Sequence, residues 1–184
     1  VNLKDENFIS LIKKINPELI IVVAFRMLPK IIWELPKYGT LNLHASLLPN
    51  YRGAAPINWA IINGEKETGI TTFFIDDKID TGAIILKEKI SISDGTTAGK
   101  LHDYLMEKGA ILVIKTIDTI ASKNFMLHQQ INSENLNSAP KLNRENTKID
   151  WNENDYNIRQ LILGLNPFPG AWTILIQKEK KLNF

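Results

Sequence analysis

The sequence predicts an α/β fold built on a mainly parallel sheet, followed by a linker and the opening of a second unit. Three observations carry that prediction. Segments of strand and helix periodicity alternate along most of the chain. Leu19-Ile20-Ile21-Val22-Val23-Ala24 is a continuous, largely β-branched run, the pattern of a strand covered on both faces. Polar residues with chemical potential fall where predicted strands end, which is where open α/β sheets build their sites.

Taken in order, Phe8, Ile9, Leu11, Ile12 and Ile15 recur at helical spacing and Pro17 stops them. The Leu19–Ala24 strand follows. Pro29 opens a short helix through Ile31, Ile32 and Leu35, which Pro36 ends. Thr40 to His44 is a second strand. Ser46 to Pro56 is a loop of prolines, glycine and small residues; Pro56 then starts a helix that Gly64 closes. Thr68 to Ile75 and Ala83 to Ile90 are strands around a polar turn, and this pair is an expected antiparallel addition. Asp94 or Thr96 caps a long helix through Leu101, Leu105, Ile111, Leu112 and Ile117. The predicted catalytic part spans 1–131. Composition then shifts to Asn, Ser, Lys and Glu, giving a linker over 132–150. Residues 151–184 contain a helix over Asp155 to Leu163, the rigid turn Asn166-Pro167-Phe168-Pro169-Gly170, and a strand from Ala171 to Gln177.

The 184 residues are 44 % apolar and 23 % charged, with a net charge of +2. A chain of this kind buries a core, and any nucleic-acid contact must come from a local basic patch rather than a global field. The absence of cysteine excludes disulfides, thiol nucleophiles and Cys-ligated zinc. No run approaches the roughly 20 apolar residues of a membrane span. Lys4, Asp5, Glu6 and Lys13 interrupt the N-terminus, so no signal peptide is expected and a cytoplasmic location is. The three histidines are scattered, so no metal site is expected.

Asn42 and His44 lie two residues apart at the end of a strand, so both side chains share one face. Asp80 lies in the turn after another strand. An amide, an imidazole and a carboxylate form a kit for acyl-type transfer. The amide N–H can stabilise an oxyanion, the imidazole can move a proton, and the carboxylate can orient it or accept a proton through water. On spacing alone, a strand-end histidine is more often structural, and Asp80 before Thr81-Gly82 reads equally as a turn residue.

A longer pattern adds to this reading. Leu41-Asn42-Leu43-His44-Ala45-Ser46-Leu47-Leu48-Pro49-Asn50-Tyr51-Arg52-Gly53-Ala54-Ala55-Pro56-Ile57 resembles the signature of the folate-dependent formyltransferases, in the form found in the methionyl-tRNA formyltransferase family. Glu67-Thr68-Gly69-Ile70-Thr71 and Ile79-Asp80-Thr81-Gly82 resemble two later motifs in the same order. The resemblance implies a Rossmann-like catalytic domain and the start of a β-barrel C-terminal domain. It implies transfer of a formyl group from 10-formyltetrahydrofolate to the amine of initiator methionyl-tRNA, with no metal, membrane or obligate protein partner. It makes Asn42, His44 and Asp80 the catalytic trio. Ser46, Leu47, Leu48 and Pro49 match the folate-binding loop. Arg26, Met27 and Leu28, with Asp76, Asp77, Lys78 and Ile79, would line the pterin pocket, chiefly through backbone groups.

Other readings stay open. Arg52 either reaches a phosphate or the folate tail, or holds the Gly53-Ala54-Ala55 turn. His102 and His128 read as surface or structural residues, Trp59 as core, and Trp151 and Trp172 as anchors for the second unit. A formyltransferase acting on an amino-sugar nucleotide shares the core motifs, a folate hydrolase domain is a further rival, and a non-catalytic folate-binding fragment belongs to a different class. The family's usual opening strand, Gly-Thr-Pro turn and helix do not precede Val1. The sheet is therefore expected to present an unpaired edge, and the chain alone to self-associate.

Overall fold

The computed structural model describes residues 2–23, 27–123, 125–131, 133, 135–177 and 180–183. The chain opens with α1 (Glu6–Ile15), capped by Asp5, whose carboxylate accepts from the Phe8 N–H, and closed by Asn16 in the left-handed conformation. The strand β1 (Ile20–Val23) and the short α2 (Lys30–Trp33) follow. Next come β2 (Thr40–His44), the two-residue β3 (Arg52–Gly53), α3 (Pro56–Ile62), β4 (Glu67–Phe74) and β5 (Ile84–Ser91). The long α4 (Ala98–Ala121) is followed by β6 (Ser138–Ala139), α5 (Asp155–Leu165), β7 (Ile174–Gln177) and β8 (Lys180–Asn183). Among the described residues no helix is long and apolar enough to cross a membrane.

The main sheet has the order β1-β2-β4-β5. It is mixed rather than mainly parallel. Only β1 and β2 run parallel, with Ile20 opposite Thr40; β2 with β4 and β4 with β5 are antiparallel. The β4–β5 link, residues 75–83, is shorter than the dozen or so residues that a parallel crossover needs, so a hairpin is the available connection. The antiparallel pairing anticipated for these two strands is thus present.

Strand alternation sorts β2 by face. Leu41 packs with Ile85 and Ile120, and Leu43 lies against Ile61, Ile70, Leu101, Leu105 and Leu112, so this face is covered by α4. Gly109 lets α4 come close: a Cβ there would meet the Leu43 Cδ2 at 2.7 Å. Thr72 and Thr116 close the same layer with a buried hydroxyl pair at 2.9 Å. Asn42 and His44 point to the opposite face, beside a smaller cluster of Leu48, Phe73 and Ile84. Each of these large apolar side chains contributes roughly 1.5–3 kcal/mol when buried.

The cap of α4 is Thr97, not Asp94 or Thr96. The Thr97 hydroxyl accepts from the Lys100 N–H, while Asp94 is held in a two-pronged pair with Arg159 of α5 at 2.9 and 3.0 Å. That guanidinium keeps the Asp94 carboxyl below its usual range.

Much of the segment expected as a linker is docked. Ser138 and Ala139 pair in parallel with Arg52 and Gly53, and Ala139, Thr147 and Ile149 are buried. Its asparagines suit this because their amides satisfy backbone and side-chain groups locally. Asn143 and Asn146 bond within their own turn, and Asn137 bonds to Tyr51 and Glu65. α5 lies on α3 at close range: Asn58 donates to the Gly164 carbonyl at 2.7 Å and Gln160 to the Ile61 carbonyl at 2.9 Å. The strand expected from Ala171 begins at Ile174, because Trp172 is taken by a separate bridge to Lys148. β7 and β8 form a two-stranded hairpin.

Candidate active site

The last residue of β2 is His44, and the chain then turns through Ser46 to Arg52 back over the strand end. The His44 Nε2 lies 2.8 Å from the Tyr51 carbonyl oxygen. A carbonyl only accepts, so Nε2 carries a proton. The opposite nitrogen, Nδ1, lies 3.8 Å from Asp80 Oδ2. That spacing exceeds a direct hydrogen bond. The two side chains are only 7 % and 13 % exposed, so their interaction is weakly screened.

Asp80 occupies the left-handed region at φ 54°. Its Oδ2 also accepts from the Gly53 N–H at 2.9 Å. Gly53 itself sits at φ 127°, and a Cβ there would run into the Ala139 carbonyl. A glycine is therefore required where the loop squeezes between Asp80 and β6. Asn42 is 6 % exposed, and its side-chain oxygen has no partner among the described residues. A buried polar atom left unpaired costs about 1–3 kcal/mol unless a bound group completes it. Asn42 and His44 thus come from β2 and Asp80 from the β4–β5 turn.

The loop from Ser46 to Pro49 is fixed from beneath. Ser46 and Leu48 are fully or almost fully buried. The Ser46 hydroxyl donates to the Asn50 carbonyl, and Thr71 donates to the Ser46 carbonyl, both at 2.6 Å. The Thr71 hydroxyl also accepts from the Leu48 N–H. Leu47 and Pro49 are half-buried. The Ser46 hydroxyl and carbonyl and the Leu48 N–H and side chain are all engaged within the fold.

The turn at 76–79 is organised by Asp76, which accepts from the Lys78 N–H and the Thr81 hydroxyl. Asp77 and Lys78 are exposed, and Ile79 is 61 % exposed. Lys30 lies 3.6 Å from Asp77, bringing the start of α2 towards this turn. Asp77 and then Glu34 raise the Lys30 pKa above its usual value. Met27 is exposed and Leu28 half-buried; Arg26 lies outside the described residues.

Two features escaped sequence reasoning. Tyr51 is buried at φ 60°, with its hydroxyl donating to Glu65 at 2.6 Å. Burial, then the Glu65 bond, push that hydroxyl up to about 12. Gln130 ties the two site loops together: it donates to the carbonyls of Asp80 and Gly82 and accepts from Arg52. Arg52 therefore holds the loop, one of its two anticipated roles. His102 is exposed beside Asp103, while the backbone of His128 bridges to Ile84. Trp59 is half-buried and donates to the Pro140 carbonyl; Trp172 donates to the Arg144 carbonyl and lies under its guanidinium. Among the described residues no three His, Cys, Asp or Glu group as metal ligands.

Residues 1–117 match the formyl transferase family, and residues 141–183 match the formyl transferase C-terminal domain. A methionyl-tRNA formyltransferase of Flavobacterium johnsoniae is 57 % identical over 182 residues, covering 99 % of this chain and 58 % of that protein. One from Bacteroides fragilis is 48 % identical, covering 96 % and 56 % respectively. The chain thus spans little more than half the length of these relatives. Among solved structures, a sugar N-formyltransferase from Shewanella superposes with a TM-score of 0.78 at 20 % identity, covering 100 % of this chain and 74 % of that one. HypX from Aquifex aeolicus in complex with tetrahydrofolic acid gives 0.75 at 21 %, covering 90 % of this chain and 28 % of that one. These two likenesses concern the fold. With the first match extending over well more than half of the sequence, the chain belongs to the formyl transferase family.

Proposed function

We propose that this chain carries the catalytic centre of a methionyl-tRNA formyltransferase. In this reading a formyl group passes from 10-formyltetrahydrofolate to the α-amine of initiator methionyl-tRNA in the cytoplasm. The approach of His44 to Asp80, with Asn42 two residues before His44 on β2, in a sequence 48–57 % identical to such enzymes, is the observation that supports it most. Residues 1–131 form the catalytic part, 132–150 the connection, and 151–184 the start of a β-barrel unit that contributes to tRNA binding.

The chemistry follows from the charges that develop. The amine attacks the formyl carbon, and the carbonyl oxygen gains negative charge. The Asn42 amide N–H stabilises that oxygen, and His44 does so through Nδ1–H when the ring carries its second proton. Because His44 Nε2–H is held by the Tyr51 carbonyl, Nδ1 is the nitrogen left for proton exchange, on the side that faces Asp80. Asp80 accepts the proton that the amine sheds, directly or through water, and returns it to the departing folate nitrogen. The new C–N bond forms as the old one breaks, so formyl group and proton balance without a metal. Ser46, Leu47, Leu48 and Pro49 bind the folate along the loop. Arg26, Met27 and Leu28 with Asp76, Asp77, Lys78 and Ile79 line the pterin.

The test offers 10-formyltetrahydrofolate with methionyl-tRNA or an amino-sugar nucleotide, to this chain and to a version extended to the length of its relatives. Formylation of methionyl-tRNA is expected. Transfer to the sugar alone would move the protein to the other branch of the family. Release of tetrahydrofolate with neither acceptor formylated would make it a hydrolase.

A further inference from the structure

Asp80 is the strained member of the trio. A non-glycine residue at φ 54° pays roughly 1–2 kcal/mol of steric cost and persists only when its surroundings over-determine it. Its carboxylate accepts from the Gly53 N–H, which fixes the side chain. The backbone is fixed by another element. The Gln130 Nε2 donates to the Asp80 carbonyl at 3.0 Å and to the Gly82 carbonyl at 2.8 Å, on either side of Thr81. The Gln130 Oε1 accepts from Arg52 Nε at 3.1 Å and Nη2 at 2.6 Å. Both donors and both acceptor positions of this amide are used, so its orientation is determined rather than arbitrary.

Gln130 is itself held in register. Two residues upstream, His128 exchanges backbone hydrogen bonds with Ile84 at 2.9 and 3.0 Å, which fastens the segment to the start of β5. Downstream, Asn137 accepts through its carbonyl from the Tyr51 N–H at 2.6 Å, and Tyr51 is the residue whose carbonyl holds His44. Described residues of the strap that follows α4 therefore reach both the Asp80 turn and the His44 loop.

We infer that Gln130 is a positioning residue for the reaction: it holds Asp80 in the left-handed conformation that keeps the carboxylate facing His44 Nδ1. The inference rests on the proposed roles of His44 and Asp80, and makes the segment after α4 part of the site's support. Gln130 makes no contact with the reacting atoms. Loss of such a support typically lowers rate by about 10–100-fold with smaller effects on ligand affinity.

The experiment uses Gln130→Ala, Gln130→Glu and Asp80→Ala, singly and as the Gln130→Ala/Asp80→Ala double variant. These are made in the extended protein of the preceding test. Gln130→Glu keeps the acceptor for Arg52 but turns an anionic oxygen towards two carbonyls. It separates support of Asp80 from support of Arg52. Both Gln130 variants are expected to lose about 10–100-fold in kcat with KM for 10-formyltetrahydrofolate within about threefold. The Gln130→Ala loss should vanish in the Asp80→Ala background, because the pair acts as a unit. The proposal is overturned if Gln130→Glu keeps full turnover, or if the two losses multiply.

Nitrogen NMR of the His44 ring gives a readout independent of turnover. The Nδ1 resonance of Gln130→Ala should move to that of Asp80→Ala, with the Nε2–H signal in place. An unchanged Nδ1 resonance overturns the inference. Full activity in His44→Ala and Asp80→Ala instead would sink the catalytic reading, and the ring spectra would still report on Gln130.

Discussion

The two long edges of the sheet differ in how they are finished. At β5 the edge is extended by the His128 bridge, and the following strap returns to stitch Asp80, Gly82, Arg52 and Tyr51 together. At β1 the outer side is open among the described residues, and Ile21 and Val23 are 39 % and 56 % exposed. The difference teaches where geometry is guaranteed. Asn42, His44 and Asp80 depend on β2, β4, the β5 end and the segment after α4, which are tied to one another by hydrogen bonds. β1 supports β2 from the side but, among the described residues, contributes no side-chain bond to the trio.

The largest effect should come from the well-finished side. His44→Ala is expected to lower kcat for formyl transfer by about 100- to 10,000-fold while folate affinity stays within about threefold, since the imidazole serves charge that develops during reaction. Collapse of folate affinity with normal turnover at saturation would show that His44 is a binding group. Next comes Gly53→Ala. Its Cβ has nowhere to go between Asp80 and the Ala139 carbonyl, and φ 127° is unfavourable for any side chain. A loss of about 2–3 kcal/mol in urea unfolding is expected, with a fall in turnover as Asp80 loses the Gly53 N–H. A stable, active Gly53→Ala would mean that β6 is free to move away, and that the strap does not clamp the site.

How much of this was legible depends on the range of the interaction. The β2 strand, its alternation and the Asn42–His44 pair are written in local periodicity, so they could be read directly. The loop from Ser46 to Pro56 and the Asp80 turn were legible as a pattern of residue types. The mixed sheet was less so, because strand direction is set by how a turn packs and not by the strand's own residues. Gln130 was invisible for a related reason. It is separated from Asp80 by 50 residues and from Arg52 by 78, and a lone amide has no periodic or spacing signal. The same holds for the 132–150 stretch: Asn-rich composition reads as unstructured, yet those amides are what let it dock.

Tyr51 sharpens the comparison at intermediate scale. Tyr51→Phe removes a hydroxyl that Glu65, Asn63 and Asn137 share, and should cost about 1–2 kcal/mol. The pH dependence has a definite sign. In the unfolded chain a tyrosine loses its proton near its ordinary value of about 10, while folded Tyr51 keeps it up to about 12. Within that window the folded state binds more protons than the unfolded state, so stability falls as pH rises. Below the window both states are neutral and the contribution is constant. Urea midpoints measured across the window should therefore fall more steeply for the native sequence than for Tyr51→Phe. Parallel curves would mean that Tyr51 is not shielded as its 5 % exposure implies.

The smallest effect on stability belongs to the open edge, and it discriminates by being small. Val23 is 56 % exposed on β1, where it pairs with Leu43. Val23→Lys should change unfolding free energy by no more than about 0.5 kcal/mol, the range of surface substitutions. It should nonetheless alter association. An unpaired strand bearing exposed apolar residues is a template for another chain, and a lysine there places a charge where a second strand would dock. Sedimentation of this chain is expected to show concentration-dependent self-association that Val23→Lys reduces. A monodisperse, cooperatively melting monomer would show that the open edge does not drive pairing. A large loss of stability in Val23→Lys would instead make β1 as much a part of the site's foundation as β5, and would erase the contrast between the two edges.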